Sequence, residues 1–345
     1  MIEAIVLVFS VVLMYVIFPT KVHVLNKFYV FVISVILICL AAFRTPGSDR
    51  DYFIYEKYYW GDSSFTDVEY SFILLRLVLK DYLNLTVISA FVVYAILGVT
   101  LKIKGIKSLS TIVSLSLLIY VSNYYMLHEL TQIRAGVATA LFLISIVYIF
   151  ERNLKLFLFF VIIAGFFHYS AFMALPLWFV KPYSRNLKYY TILIVIGFAF
   201  LLLKIDLIAD VPIPYVQNRI KIYILLTESA EDHEGAVDFL NPRFFFKMAI
   251  FFVLLLFRHK IAPKNKYFYL LLKIYAISLF VFMTFSKIPA LSYRMQTFFG
   301  TVDIILIPML AYIFKNKFLG YILVIAIAIA FLLYNLIISE LIINP

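Results

Sequence analysis

The chain has 345 residues, of which 65% are hydrophobic and 14% charged, with a mean hydropathy of +1.01. That composition belongs to a polytopic membrane protein rather than a soluble one, and the single cysteine, Cys39, excludes an intramolecular disulfide. A net charge of +11 could suggest nucleic acid, but its basic excess is dispersed over short loops. Anionic headgroups and membrane topology account for that pattern, so no nucleic-acid partner is expected.

The apolar runs predict an all-α protein of about twelve transmembrane helices, one integral-membrane domain over residues 1–345 with both termini outside. Residues 4–19 and 28–43 form a hairpin turning at Lys21–Lys27, and the first outer segment spans about 44–83. Runs at 84–101, 109–127, 131–150 and 155–168 follow, with a short return at 169–180 and a further run at 189–205. A second outer segment covers about 206–243, and the last four runs are 244–257, 266–286, 294–314 and 318–340. The stretches 155–168 and 244–257 are short for a bilayer that needs about 20 residues, so they are expected as half-helices buried among neighbours. The first run lacks a basic leader and a small-residue cleavage site, and is expected to stay as the first helix.

Charge sets the orientation. Sixteen of the thirty basic residues fall at Lys21–Lys27, Lys102–Lys107, Arg152–Lys155, Lys181–Lys188, Arg258–Lys266 and Lys315–Lys317, and of the acidic residues only Glu151 joins them. By the positive-inside rule those are cytoplasmic loops, which leaves nearly every carboxylate facing out.

The first outer segment opens Arg44-Thr-Pro-Gly-Ser-Asp49-Arg-Asp51-Tyr52, where Pro46 and Gly47 force a turn at the end of the second helix. Aromatics of the kind found at bilayer interfaces follow: Tyr52, Phe53, Tyr55, Tyr58, Tyr59 and Trp60. Glu69 then opens a run to Lys80 that is too short and too charged to cross, hence an interfacial amphipathic helix. In the second outer segment Val216, Ile220 and Tyr223 stand at helical spacing before the polar run Thr227–Glu234, the pattern of a short helix and a lid-like loop.

Arg134 begins a span in His128-Glu129-Leu-Thr-Gln132-Ile-Arg134-Ala-Gly-Val-Ala. An arginine at the bilayer centre costs roughly 2.5–3.5 kcal/mol on insertion scales, so one beside a span is usually paired or functional. Snorkelling to headgroup phosphates is the competing reading, but the small residues after Arg134 favour a bundle-facing position. Arg294 repeats the pattern after Tyr293, and Arg44 closes the second helix at the same depth. Together they suggest an anion clamp, because guanidinium forks fit phosphate oxygens. His168 stands in Phe167-His168-Tyr-Ser170-Ala within an apolar stretch, as a proton acceptor or as a plain hydrogen-bond partner of a neighbouring helix. His128 and Gln132, at i and i+4, could serve instead. His233 lies between Asp232 and Glu234, but an exposed acidic loop explains it and no ligand spacing supports a metal. The chain holds no Gly-rich phosphate loop and no Gly-x-Ser-x-Gly elbow.

Taken in order on one membrane face, these motifs resemble EpsG-type polysaccharide polymerases, relatives of the bacterial O-antigen and capsule polymerases called Wzy. The similarity covers Arg44 to Tyr52, Glu69, Gln132 to Ala138, Phe167 to Ala171 and Tyr293-Arg294, thus about residues 44–310. It implies an enzyme of the bacterial inner membrane that joins undecaprenyl-pyrophosphate-linked oligosaccharide repeat units on the periplasmic side. No cofactor is implied. The partners are a lipid-linked donor and acceptor, the bilayer, and a chain-length regulator and flippase of the same pathway. On this reading His168 is the general base, with Glu69 and Asp49 as the other catalytic candidates and no metal. Arg44, Arg134 and Arg294 bind pyrophosphate, while Tyr52, Gln132, His128, Tyr293 and Arg243 contact sugar or substrate. A lipid-linked oligosaccharide flippase is the main rival, supported by Lys247 and Lys273 within predicted spans. A glycan ligase or O-acetyltransferase would share the outward site.

Overall fold

The computed structural model describes residues 1–19, 22–61, 68–203 and 241–342. The helix and lid expected around Val216 to Glu234, with His233, lie outside the described residues. Among the described residues the ordered backbone is helical, with one isolated antiparallel bridge between Asp49 and Ile342. Helices are what hydrocarbon demands, since every N–H and C=O must find its partner within the segment.

The chain forms two compact units: Met1–Trp178 with Ile307–Pro345, and Phe179–Leu306. The first opens with α1 (Ile2–Ile17), α2 (His23–Ala42), the short α3 (Tyr52–Trp60) and α4 (Tyr70–Arg76), which runs into a π-helical turn at Leu77–Tyr82. It continues with α5 (Val87–Leu109) and α6 (Val113–Ile119), which opens into a π-helix at Tyr120–Thr131. Next come α7 (Ile133–Phe150), α8 (Leu154–Phe167) and a 3-10 helix at Tyr169–Phe179. The second unit holds α9 (Lys188–Leu203), α10 (Pro242–Leu256), α11 (Phe268–Thr284) and α12 (Pro289–Gly300), and α13 (Lys317–Leu333) returns to the first. Local sequence explains several ends. Asn153 caps α8 by accepting from Leu156 N at 3.1 Å, and Asn241 accepts from Arg243 N at 3.0 Å ahead of a Pro-started α10.

In the first unit α7 is the hub, packed along α5 on one side and α8 on the other, with α2 against α5. Asn335 donates to the carbonyls of Ser122 at 2.9 Å and Asn123 at 3.3 Å, fastening the chain after α13 to the π-helix. In the second unit α11 is central, flanked by α9, α10 and α12.

Among the described residues five helices are long and apolar enough to cross a membrane: Val24–Ala42, Val87–Leu109, Ile133–Phe150, Leu291–Ile313 and Lys317–Ile338. Each matches one of the twelve expected crossings. Shorter apolar helices at Ile2–Ile17, Leu154–Phe167, Tyr169–Phe179, Lys188–Leu203 and Phe268–Thr284 account for others, so a count of twelve full crossings does not emerge. At 1.5 Å per residue, the 14 residues of α8 reach only about 21 Å, short of a hydrocarbon core of about 30 Å.

Three lysines are held by internal partners. Lys102, counted from sequence among cytoplasmic loop residues, is instead fully buried inside α5, because polar groups of α7 and the π-helix receive it. Lys247 pairs with Asp303 at 3.1 Å, with both side chains shielded. Lys273 donates to the carbonyls of Lys181 and Ser184, each at 2.6 Å, and so ties a loop down.

Candidate active site

α7 and α8 are packed antiparallel and joined by a short turn, so the start of one lies beside the end of the other. Arg134 therefore sits in the first turn of α7 close to His168, the residue that terminates α8. α4 packs on α8, and Glu69, in extended backbone just before α4, enters the same place.

Glu69 joins the other two. Its Oε1 lies 2.5 Å from His168 Nδ1, while its Oε2 accepts from Arg134 Nη1. These partners stand 99 and 65 residues away in sequence. The side chains of Arg134, Glu69 and His168 are 16%, 7% and 18% exposed, so the centre is sheltered but open at one edge. Burial pushes the Glu69 carboxyl up, but the His168 hydrogen bond and the Arg134 charge outweigh it and hold the group below the ordinary carboxylate range. Since Nδ1 faces a carboxylate, the imidazole carries its proton there and leaves Nε2 as an acceptor.

Aromatic rings enclose the arginine. Its guanidinium carbon is 5.5 Å from the ring centres of both Tyr55 and Tyr58. Tyr94 shares a hydrogen bond of 3.1 Å with Ser71 and stacks on Phe72, completing the wall beneath. Burial pushes the Tyr55 phenol up to about 12, so it remains a neutral hydroxyl, able to accept from Arg134.

The other expected residues separate into groups. Arg44 and Asp49 form an internal pair at 2.9 Å, with side chains 1% and 0% exposed. The Arg44 guanidinium lies 3.8 Å from the Phe91 ring centre. Burial pushes the Asp49 carboxyl up and the Arg44 guanidinium down, each opposed by the other's charge. Tyr52 is likewise buried, packed 5.1 Å from Phe91. These three brace the turn at Pro46-Gly47 and present no surface to a ligand in this conformation. His128 and Gln132 do not share a helix face as i, i+4 spacing suggests. The intervening helix has π geometry and ends at Gln132, which turns His128 inward toward Lys102 and Thr139. Gln132 itself stays partly exposed at the foot of α7.

Arg294, Tyr293 and Arg243 belong to the second unit. There Asn241 donates to the Tyr293 hydroxyl at 2.9 Å, linking the starts of α10 and α12, with Arg243 half-buried and Arg294 exposed. Asn241 is not singled out by the sequence, although an Asn-Pro pair opening a helix marks a cap whose amide has a spare donor. Among the described residues no group of three or more His, Cys, Asp or Glu could hold a metal ion.

The family model for EpsG matches residues 27–344, nearly the whole chain. A curated relative, "Amylovoran biosynthesis protein AmsC" of Erwinia amylovora, is 26% identical over 250 residues. That alignment takes in 68% of this chain and 62% of the relative, so the match spans under two thirds of the relative's length. No solved structure matches.

Proposed function

Because the chain belongs to the EpsG family, we propose that it is a membrane polysaccharide polymerase, a glycosyltransferase that joins lipid-pyrophosphate-linked oligosaccharide repeat units on the outer face of the bacterial inner membrane. The observation that carries this reading is the single carboxylate of Glu69 bound at once to His168 and Arg134.

The chemistry needs a base, an anion receptor and a dry groove. The acceptor sugar hydroxyl gives its proton to His168 Nε2 as its oxygen bonds to the donor's anomeric carbon. The bond from that carbon to the lipid pyrophosphate breaks, and its electron pair leaves on the pyrophosphate oxygen. Glu69 steadies the imidazolium that forms, as a buried carboxylate does in hydrolytic triads. Arg134 retains further N–H donors beyond the one given to Glu69, and these suit the departing phosphate oxygens. Within the second unit, Arg294, Arg243 and Tyr293 are a separate group suited to an anion or a sugar hydroxyl. Tyr58 is the stacking face for a sugar ring, in place of the buried Tyr52. Apolar helix faces shelter the polyprenyl chain. Asp49 and Arg44 hold the neighbouring turn, and the reaction requires no metal or cofactor. A chain-length regulator and the flippase that delivers repeat units are the expected partners.

The flippase reading rests on Lys247 and Lys273, and both are committed to internal partners rather than to a cavity. The test is polymerisation of purified lipid-linked repeat units. His168→Ala should lose about 10²–10⁴-fold in rate at unchanged protein level, the range of a general base. A rate within tenfold of the parent would remove His168 from the role. Glycan profiles of deletion strains separate the rivals, because losing a polymerase leaves single-repeat decoration whereas losing a ligase or flippase leaves none.

A further inference from the structure

Beneath the candidate centre lies a second polar cluster that the proposed reaction does not use. Lys102 on α5, His128 and Glu129 on the π-helix, and Thr139 on α7 are each at most 2% exposed. The Lys102 ammonium donates to Thr139 Oγ1 at 2.6 Å and to the Gly136 carbonyl at 3.3 Å, with His128 Nδ1 at 3.4 Å. Glu129 accepts from the Tyr120 hydroxyl at 3.0 Å and interacts electrostatically with Lys102. Two glycines make room. A Cβ at Gly98 would strike the Glu129 carboxylate, and one at Gly136 would strike the His128 carbonyl.

The placement of these contacts matters more than their number. Gly136 is two residues after Arg134, and its carbonyl belongs to the first turns of α7. Lys102 thus fixes the height of α7 relative to α5 at the point from which the Arg134 side chain departs. A one-ångström slip there would move the guanidinium relative to Glu69, and with it the hydrogen bond that sets the imidazole tautomer.

We infer that Lys102 is a positioning residue, which, through the Gly136 carbonyl and Thr139, sets the reach of Arg134 to Glu69 and so the orientation of His168. This rests on Glu69, Arg134 and His168 forming the reaction centre. Glu129 is the counter-charge that lets an ammonium stay buried there.

The test uses the full chain in nanodiscs, with ¹⁵N-labelled histidine and the His168 signal assigned by its absence in His168→Gln. In the parent, His168 should show one tautomer with the proton on Nδ1. Lys102→Met should mix the tautomers and lower the polymerisation rate roughly tenfold or more, the scale of one lost charge-assisted hydrogen bond. Thr139→Val, a near-isosteric change that removes one acceptor, should do the same to a smaller degree and guards against a Lys102 variant that fails to fold. The double variant Lys102→Met with Glu129→Gln should regain thermal stability but not the tautomer or the rate. On an Arg134→Lys background, Lys102→Met should add less than threefold, because both act through one contact. An unchanged His168 tautomer in folded Lys102→Met, or full recovery of rate in the double variant, would overturn the inference. The tautomer is read without substrate, so it decides this point even if the protein proves not to polymerise glycans.

Discussion

Replacing Glu69 by Gln keeps the shape of the side chain, removes its charge and forces a different hydrogen-bond arrangement on its two partners. The parent carboxylate accepts on both oxygens, from Arg134 on Oε2 and from His168 on Oε1 at 2.5 Å. An amide has only one accepting oxygen. Arg134 cannot accept, so the amide oxygen must turn to it, and the amide nitrogen then faces His168 Nδ1 as a donor. That selects the tautomer with its proton on Nε2, where a base must be vacant. Each charge-assisted hydrogen bond is worth about 1.5–3 kcal/mol, and in the amide both lose their charge while the one to His168 also reverses direction. At about 1.4 kcal/mol per tenfold, loss of the imidazole–carboxylate bond alone supports a drop in kcat of about ten- to a hundredfold, while KM for the lipid-linked donor changes by only a fewfold. Steady-state polymerisation with purified enzyme measures both. If Glu69→Gln keeps kcat within tenfold of the parent, the carboxylate does not orient His168 and the relay is wrong.

Acid should erase part of the difference between these two proteins. Glu69 is held below its ordinary range when folded, so its stabilisation is present above the unfolded value, about 4.3, and vanishes as pH falls through the folded value. The gap in Tm between parent and Glu69→Gln should therefore narrow below about pH 4, and a constant gap would refute it. Arg134→Lys should fall at least tenfold in rate despite keeping its charge, since an ammonium lacks the planar fork that reaches carboxylate and phosphate together; normal polymerisation would dismiss the anion role. Lys247→Met should cost about 3–5 kcal/mol by stranding Asp303, and adding Asp303→Leu should restore most of it in detergent unfolding. Activity should survive EDTA, and chelator-sensitive activity restored by a divalent ion would move attention to Asp49 and Asp51. A cysteine at Ser184 should resist an impermeant thiol reagent in intact cells, whereas labelling there would reverse the orientation.

The helical membrane architecture was legible because hydrocarbon imposes one rule on every span, and apolar runs announce it. Glu69, Arg134 and His168 were legible individually, since ionisable groups beside apolar runs are costly. Their union was not, because local patterns carry no information on pairings across 65 and 99 residues. Arg44 and Asp49 misled for the same reason. Nothing in Arg-Thr-Pro-Gly-Ser-Asp tells that the turn folds the two onto each other and under Phe91. Lys102 read as a loop cation because its acceptors, the Gly136 carbonyl and Thr139, are invisible until α5 and α7 pack. The inward turn of His128 was missed because a hydrophobic run does not reveal that the helix widens after Ile119.

That widening has a consequence for chain length. Most π-helical stretches are a single turn, equivalent to one residue inserted into an α-helix, whereas here twelve residues keep the wider winding. The wide winding absorbs extra residues without turning the helix beyond it, so deleting one residue between Tyr120 and Leu127 would let one turn relax to ordinary winding with the downstream phase nearly kept. Glu129 would still face the gap at Gly98, and the side chains within the relaxed turn would be the ones re-aimed. The same deletion inside α5 or α7 would rotate every later side chain by about 100°. The π stretch is therefore a buffer of residue count, and single-residue deletions should be better tolerated here than in the regular helices beside it.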